Sequence, residues 1–422
     1  MKKYIVTAVI CLLFVLFTAY AQTNDVSSAK IIAIEVGDNF SFAVDADGNL
    51  WAWGNNEFGQ LGDGTKTTRE EGPNPYILDF FAGKIIDDNN RKRPVKITDN
   101  VVSVSAGYSH AMAVKTDGSL WAWGYDIFGE YGDEKYEFCF PIKIMDDVAS
   151  VSTGANHTMI IKTDDSLWAW GRNSEGQLGN GTITTRDNNN DSYTPIKIMD
   201  SIASVSVGYS YTMAIQKDGS LWAWGWNCYG QLGNGGDGNE TDSIGRPVQT
   251  IPVKIMDDVA SVSAGNYHTM AIKSDESLWA WGWNYSGELG DGTASGRDDN
   301  FNIIDNNRNS PIKVMDSVVS VSAGRDHTMI IKTDGSLWAW GSNEHGLIGK
   351  ASSSRPIGAA PARSAQLPIK IMDSIASIST GKHTLALKTD GSVWAWGYND
   401  SGQLGDGTTK DRLSPVKILD GK

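Results

Sequence analysis

The chain has 422 residues, 40% of them apolar, enough for a large buried core. Its formal net charge is −14 and its pI near 4.9. That acidity opposes nucleic-acid binding, where affinity comes from many Lys and Arg contacts to phosphate.

The first 21 residues differ in kind. Lys2 and Lys3 precede an apolar run from Ile5 to Phe17, and Ala19-Tyr20-Ala21 has the spacing of a signal-peptidase site. The run is short against the ~20 residues of a spanning helix. Cleavage before Gln22 is expected, leaving residues 22–29 as a short linker and no membrane span. Losing both lysines takes the charge from −14 to −16. Cys139 and Cys228 then remain in different repeats, so no disulfide framework is expected, only small buried or semi-buried residues.

From Lys30 to the end the chain reads as a single domain of seven repeats, organised on Ser-Leu-Trp-Ala-Trp-Gly. The Trp-Ala-Trp-Gly core starts at Trp51, Trp121, Trp168, Trp222, Trp279, Trp338 and Trp394. With no polar face, it predicts a strand covered on both sides by its own copies. Each repeat reads as four strands, as in Pro141 to Met145, Ala149 to Gly154, His157 to Lys162 and Ser166 to Gly171. Asp-Gly between β-rich runs, as at Asp117-Gly118, signals a hairpin. A proline opening and an internal lysine (Lys143, Lys197, Lys254, Lys313, Lys370) mark the first of the four as an edge strand. Repeat spacing runs from 47 to 70 residues, and the differences fall in polar inserts that read as loops.

The first repeat lacks a proline strand before Ile34, while the chain ends on an orphan, Pro415 to Leu419. The expectation is an all-β, closed seven-bladed β-propeller of four-stranded blades, its first blade completed by the C-terminal strand. An open solenoid would leave one unit unfinished and would want polar caps.

Gly154-x-x-His157-Thr, then Leu-Trp-Ala-Trp-Gly171-x-Asn-x-x-Gly176-Gln-Leu-Gly179, resembles the repeat of the regulator of chromosome condensation family over residues 27–422. The resemblance implies a seven-bladed propeller. Its members include a nuclear nucleotide-exchange factor for a small GTPase, a plant ultraviolet photoreceptor and a secreted bacterial β-lactamase inhibitor. The last is most similar in compartment, acidity and layout. Fold alone does not fix function across such a range.

Strand parity sends the Gly-x-x-His turns, the loops after Trp-Gly and every long insert to one face, here called upper. The short acidic turns (Asp117, Asp164, Asp218, Asp275, Asp334, Asp390) share the lower face, where turn chemistry explains them. Variable loops carry function more often than uniform turns. The residue after Trp-Gly is Asn55, Tyr125, Arg172, Trp226, Trp283, Ser342 or Tyr398, and Tyr108, Tyr209 and Tyr267 lie in neighbouring turns. Trp226, Trp283, Tyr125 and Tyr398 are expected to form the core of a partner-binding patch, with Tyr108, Tyr209, Tyr267 and Arg172 around it, because Trp, Tyr and Arg dominate hot spots. The alternative is that these rings pack between adjacent loops.

Five histidines (His110, His157, His268, His327, His383) share one repeat position, with Phe40 and Tyr211 in the other two copies. Equivalent positions in stacked sheets lie on the order of 10 Å apart, too far for a shared zinc. Packing with a hydrogen bond to nearby backbone is expected instead. No nucleophile elbow, phosphate loop or metal-ligand spacing appears, so no catalytic residue, cofactor or metal is assigned. The inserts Asp187–Asp191 and Asp298–Asp305 could hold calcium but have no regular ligand spacing. The expected protein is an exported, monomeric, non-enzymatic propeller binding a protein partner. A nucleotide-exchange regulator and a carbohydrate or cell-wall binding module are the alternatives.

Overall fold

In the computed structural model, residue 26 and residues 29–69, 85–125, 137–185, 188–236, 238–297, 303–350 and 364–421 are described. The repeats form seven antiparallel blades around an axial channel, six of four strands and one carrying a short fifth. Blade 3 sets the pattern: Val148–Thr153 lines the channel, then come His157–Lys162, Leu167–Gly171 and, outermost, Ser192–Met199. The outer strand is an edge, as its proline and lysine imply. Pro195 sits inside a bulge, between the pairs Gly171↔Ser192 and Ala169↔Ile196, where a missing N–H breaks no ladder bond. Short ribbons decorate two inserts, Thr68–Arg69 with Ile85–Asp87 and Gly296–Arg297 with Ile303–Ile304.

Ring closure holds, but by a different pairing from the one expected. The proline strand belongs to the tryptophan strand before it, so C-terminal Arg412–Leu419 pairs with Val393–Gly397 and completes the last blade. The first blade is complete by itself, from Ile31–Val36 to Arg91–Thr98. The physical reason lies in the link from each proline strand to the next serine-rich strand. It is a tight turn with a left-handed residue, such as Ser201 at φ 61°, and the next N–H, that of Ile202, bonds back to Asp165 O of the preceding blade. That link is a crossover between blades, and the last blade closes on the first by packing face to face.

Trp53, Trp123, Trp170, Trp224, Trp281, Trp340 and Trp396 are 0% exposed at the blade interfaces. Each buries on the order of 200 Å², an upper estimate of about 5 kcal/mol of transfer free energy. The first tryptophan of each pair is less enclosed. Apart from Trp51 these are half-buried; Trp168 Nε1 donates to Ser166 Oγ (2.7 Å), and Lys162 lies 4.7 Å over the ring. Full cover on both faces therefore holds for only one indole of the two. Ser166 Oγ in turn donates to Asp164, so the lower-face carboxylates are turn residues, and others pair with outer-strand lysines, as in Lys197–Asp200 at 2.7 Å.

The buried indoles share one acceptor type. Trp224 Nε1 donates to Gln177 O of the preceding blade (2.9 Å), and Thr212 Oγ1 donates to the same oxygen (3.2 Å). His157 Nε2 meets Thr212 Oγ1 at 3.1 Å. The hydroxyl spends its proton on the carbonyl, so the histidine supplies its own as the Nε2–H tautomer. Its partner is thus a hydroxyl of the next blade and not nearby backbone. The node recurs as His268, Thr328, Trp340 and Glu288 O. At the closing seam it is His383, Ser41, Trp53 and Gln403 O. Where Phe40 replaces histidine, the facing residue of the next blade is Ala111, packed in the same apolar cluster. The last glycine of each Gly-Gln-Leu-Gly lies against an indole: at Gly179, φ +77°, an added Cβ would meet Trp224 Nε1 at 2.7 Å.

Burial pushes His157, His268 and His383 down to about 3 and His327 to about 4. Because the folded values lie below the unfolded one near 6.5, these groups stabilise fully above about pH 6.5 and lose that contribution as pH falls towards 3 to 4. Each adds at most about 1.4 kcal/mol per pH unit. Replacing His157→Phe together with Thr212→Ala copies the Phe40–Ala111 pair. Denaturant titrations from pH 7 to 4.5 should show its pH slope reduced by about one proton.

Candidate functional site

The upper face is built from the Trp-Gly loops. Gly171 has φ +107°, and a Cβ there would sit 2.8 Å from His157 Cα, so only glycine lets the chain leave the sheet at this point. Asn173 then organises the loop: its Nδ2 donates to Thr182 O (3.0 Å) and its Oδ1 accepts from Leu178 N (3.1 Å). This cradle is repeated around Asn56, Asn284 and Asn399. The residue between Gly and Asn is delivered to the surface at a fixed place.

A second loop position, three residues further on, meets that place on the next blade. Phe58 stacks on Tyr125 (centroids 5.1 Å, 19°), Tyr229 lies 4.2 Å from Trp283, and His345 lies 4.8 Å from Tyr398. At the closing seam the pair is Ser401 and Asn55, joined by a 3.3 Å hydrogen bond. Tyr125 and Tyr398 are therefore loop-to-loop packing residues, each joined to its own neighbour and apart from Trp226 and Trp283. Tyr398 also donates to Asp400 Oδ2 (2.6 Å), which helps hold its hydroxyl up to about 12.

One aromatic patch does form, on blades 4 and 5. Tyr267 lies 5.7 Å from Tyr209, 5.6 Å from Trp226 and 5.6 Å from Tyr229. Tyr229 joins Trp283, and Trp283 is followed by Tyr285 at 5.7 Å and 19°. Tyr285 is 59% exposed and Tyr209 38%, whereas Trp226 is 8% exposed and forms the floor. Arg246 caps Trp226 at 4.8 Å, held by Asp242 (2.6 Å) and facing Glu175 (3.9 Å). Arg172 borders the patch through Glu175 (3.4 Å). Tyr108 stands apart at the channel mouth, 54% exposed, with Lys382 5.7 Å from its ring.

Of the expected residues, Trp226, Trp283, Tyr209 and Tyr267 converge, Arg172 adjoins, and Tyr125, Tyr398 and Tyr108 do not join them. Tyr229, Tyr285 and Arg246 were missed by sequence reasoning. The recurring third position after the Trp-Gly residue (Phe58, Glu175, Tyr229, His345) was the available signal for Tyr229. Among the described residues no group of His, Cys, Asp and Glu could hold a metal. The calcium candidates fall partly at residues 187 and 298–302, outside the described residues. Cys139 is half-buried; Cys228 is exposed, contrary to expectation, because its side chain lies at the surface of the blade 4 loop.

Blades joined by Gly-x-x-His turns, Trp-Gly cradles and Gly-Gln-Leu-Gly tails define a seven-bladed propeller of one repeat type. The RCC1-like domain matches residues 18–303, and the regulator of chromosome condensation (RCC1) repeat matches 318–347, 375–403 and 390–422. The chain belongs to the RCC1 repeat family. It is 29% identical over 404 residues to the ultraviolet-B receptor UVR8 of Arabidopsis thaliana, covering 93% of this chain and 82% of the receptor. Its identity to the probable E3 ubiquitin-protein ligase HERC4 of Homo sapiens is 32% over 383 residues, or 87% of this chain and 32% of the ligase. Among solved structures, human WBSCR16 superposes with a TM-score of 0.68 at 19% identity, covering 88% of this chain and 94% of that one. Prp20p of Saccharomyces cerevisiae gives 0.67 at 20%, covering 94% and 89%.

Three residues after Tyr285 comes Glu288, where four other copies carry Gln (Gln60, Gln177, Gln231, Gln403). It is 0% exposed, one oxygen accepts Ser286 N at 2.8 Å, and the other has no hydrogen-bond partner. Burial, aided by Asp326, pushes its carboxyl up to about 8. A raised folded value favours the fold below the unfolded value near 4.5 and loses that stability as pH rises through 8. Glu288→Gln should therefore raise unfolding free energy at pH 8.5 by about 1–3 kcal/mol and change little at pH 4.5, read by urea titration.

Proposed function

We propose that the chain is an exported, non-enzymatic propeller that binds a protein partner through the aromatic patch of its upper face. The observation that carries this reading is the run Tyr209, Tyr267, Tyr229, Trp283 and Tyr285, contiguous across two blades and partly open to solvent. Rigid aromatic area of this kind dominates protein hot spots. The crystallised Prp20p is described by its binding to Gsp1p and histones, and another structure holds Kap60 bound to yeast RCC1. Protein binding is thus a use to which this fold is put. The leader-like residues 1–21 and the acidity support export, as in the secreted bacterial β-lactamase inhibitor whose layout the chain resembles. They count against the nucleotide-exchange alternative, which needs a partner inside the cell.

A second reading is stacking on a carbohydrate, favoured by the nearly parallel Trp283 and Tyr285 rings. Affinity capture with protein from residue 22 onward, against envelope and culture-fluid proteins and against polysaccharide, separates the two. Trp283→Ala with Tyr285→Ala should weaken capture of the protein partner at least 100-fold with the melting temperature little changed. Trp226→Ala should instead cost about 3–5 kcal/mol of stability, because it removes the floor. Unaltered capture by the double variant would sink the proposal.

A further inference from the structure

The channel-lining strands are sheet edges, and each covers an N–H of the next. Thr153 N donates to Ser105 Oγ (3.0 Å), Val207 N to Ser152 (3.2 Å), Ala264 N to Ser206 (3.0 Å) and Ala323 N to Ser263 (2.9 Å). Thr380 N donates to Ser322 (3.1 Å) and Val36 N to Ser379 (3.0 Å). The seventh acceptor is Glu35, which receives Ala106 N. Six blades use a hydroxyl, and one places a carboxyl where a hydroxyl suffices. Above this ring the channel opens upward as a cavity of about 520 Å³, bounded by the Gly-x-x turns. That volume is in the range of small-ligand sites.

A carboxylate withdrawn from bulk water needs a cation or loses its charge. Glu35 has hydrogen bonds from Ala106 N and, at 3.4 Å, Ser379 Oγ, but among the described residues no Lys or Arg pairs with it. The nearest strands, Val101–Ala106 and Ile375–Thr380, bring no charged group to it. Within its own blade, Asp45 is bound by Trp51 and Asn49. His383 is neutral and engaged by Ser41. At the mouth, Lys382 is held by Asp38 at 2.6 Å and Arg325 by Asp326 at 3.2 Å, so these cations are already balanced.

We infer that the axial channel is a binding site for a primary ammonium group on a flexible chain, entering from the upper face and ion-pairing with Glu35. The ammonium is either that of a free aliphatic amine or that of a lysine side chain presented by another protein. Tyr209 and Tyr267 belong both to the cavity wall and to the aromatic patch, but Trp283 and Tyr285 do not line the cavity, so Trp283→Ala with Tyr285→Ala leaves it intact. Burial pushes Glu35 up to about 7, and an entering cation holds the ionised form. Affinity therefore rises about tenfold between pH 6 and 8, as the ionised fraction does.

Isothermal titration calorimetry with 1,4-diaminobutane, with butan-1-ol and with a short peptide carrying one central lysine tests this on the mature protein. Glu35→Ser restores the residue of six other blades and should fold at least as well; Glu35→Gln is the second variant. Diaminobutane should bind wild type with the stated pH dependence, bind both variants at least tenfold more weakly and without it, and butanol should not bind. A tighter, competing lysine peptide assigns the ammonium to a protein partner; binding of the diamine alone assigns it to a free amine. Equal affinity in Glu35→Ser and wild type, butanol binding as well as the diamine, or no binding by either amine overturns the inference.

Discussion

The backbone carbonyl of the residue that follows the glycine in Asn-x-x-Gly, in the loop of one blade, accepts the buried indole N–H of the next. This bond recurs at Gln60, Gln177, Gln231, Glu288, Leu347 and Gln403. The side chain at that position varies, as the bond is made by the main chain. An indole buried without an acceptor would lose about 1–3 kcal/mol, so each interface needs the loop and the tryptophan in register. The Gly-Gln-Leu-Gly tail is thus an interface element, and the glycine after the leucine is there because the indole occupies the space of its Cβ.

Two surfaces follow from that constraint. Because each loop is clamped to the next blade, its residues after Trp-Gly stand at fixed azimuths, and contiguous aromatic rings arise only where adjacent blades both supply them. Blades 4 and 5 do so. At the axis, the same close approach brings seven channel-lining strands near enough for each to cover an N–H of its neighbour. Glu35 is the single departure from a hydroxyl-lined ring, at the level where the cavity begins.

The architecture was legible in the sequence because a sevenfold repeat writes the same physics seven times. Trp-Ala-Trp-Gly implied burial, Asp-Gly implied hairpins, and strand parity divided the loops between faces. Which neighbour the proline strand pairs with was not legible. Adjacency in sequence suggested the serine-rich strand three residues on, whereas the hydrogen bonds run back across a long insert to the tryptophan strand. Nor did the sequence separate packing rings from exposed ones. Tyr125, Trp283 and Tyr398 read alike, and each meets a residue of the preceding loop; what sets Trp283 apart is that Tyr285 and, through Tyr229, Tyr267 extend its pair into a patch, a relation visible only once blade order is known. Trp226, expected with Trp283 at the core of the patch, proved its most enclosed ring.

The central claim is that each of the six interfaces whose loop lies among the described residues, the first-to-last seam included, is held by the same carbonyl and indole. The most direct test is hydrogen exchange of the indole N–H groups by 15N-tryptophan NMR. Trp53, which donates across the seam to Gln403 O at 2.8 Å, should exchange as slowly as Trp224, Trp281 and Trp340, and all four far more slowly than the half-buried Trp168. Rapid exchange at Trp53 with protection kept at the other three would mean a ring that opens at its seam, and would contradict the account.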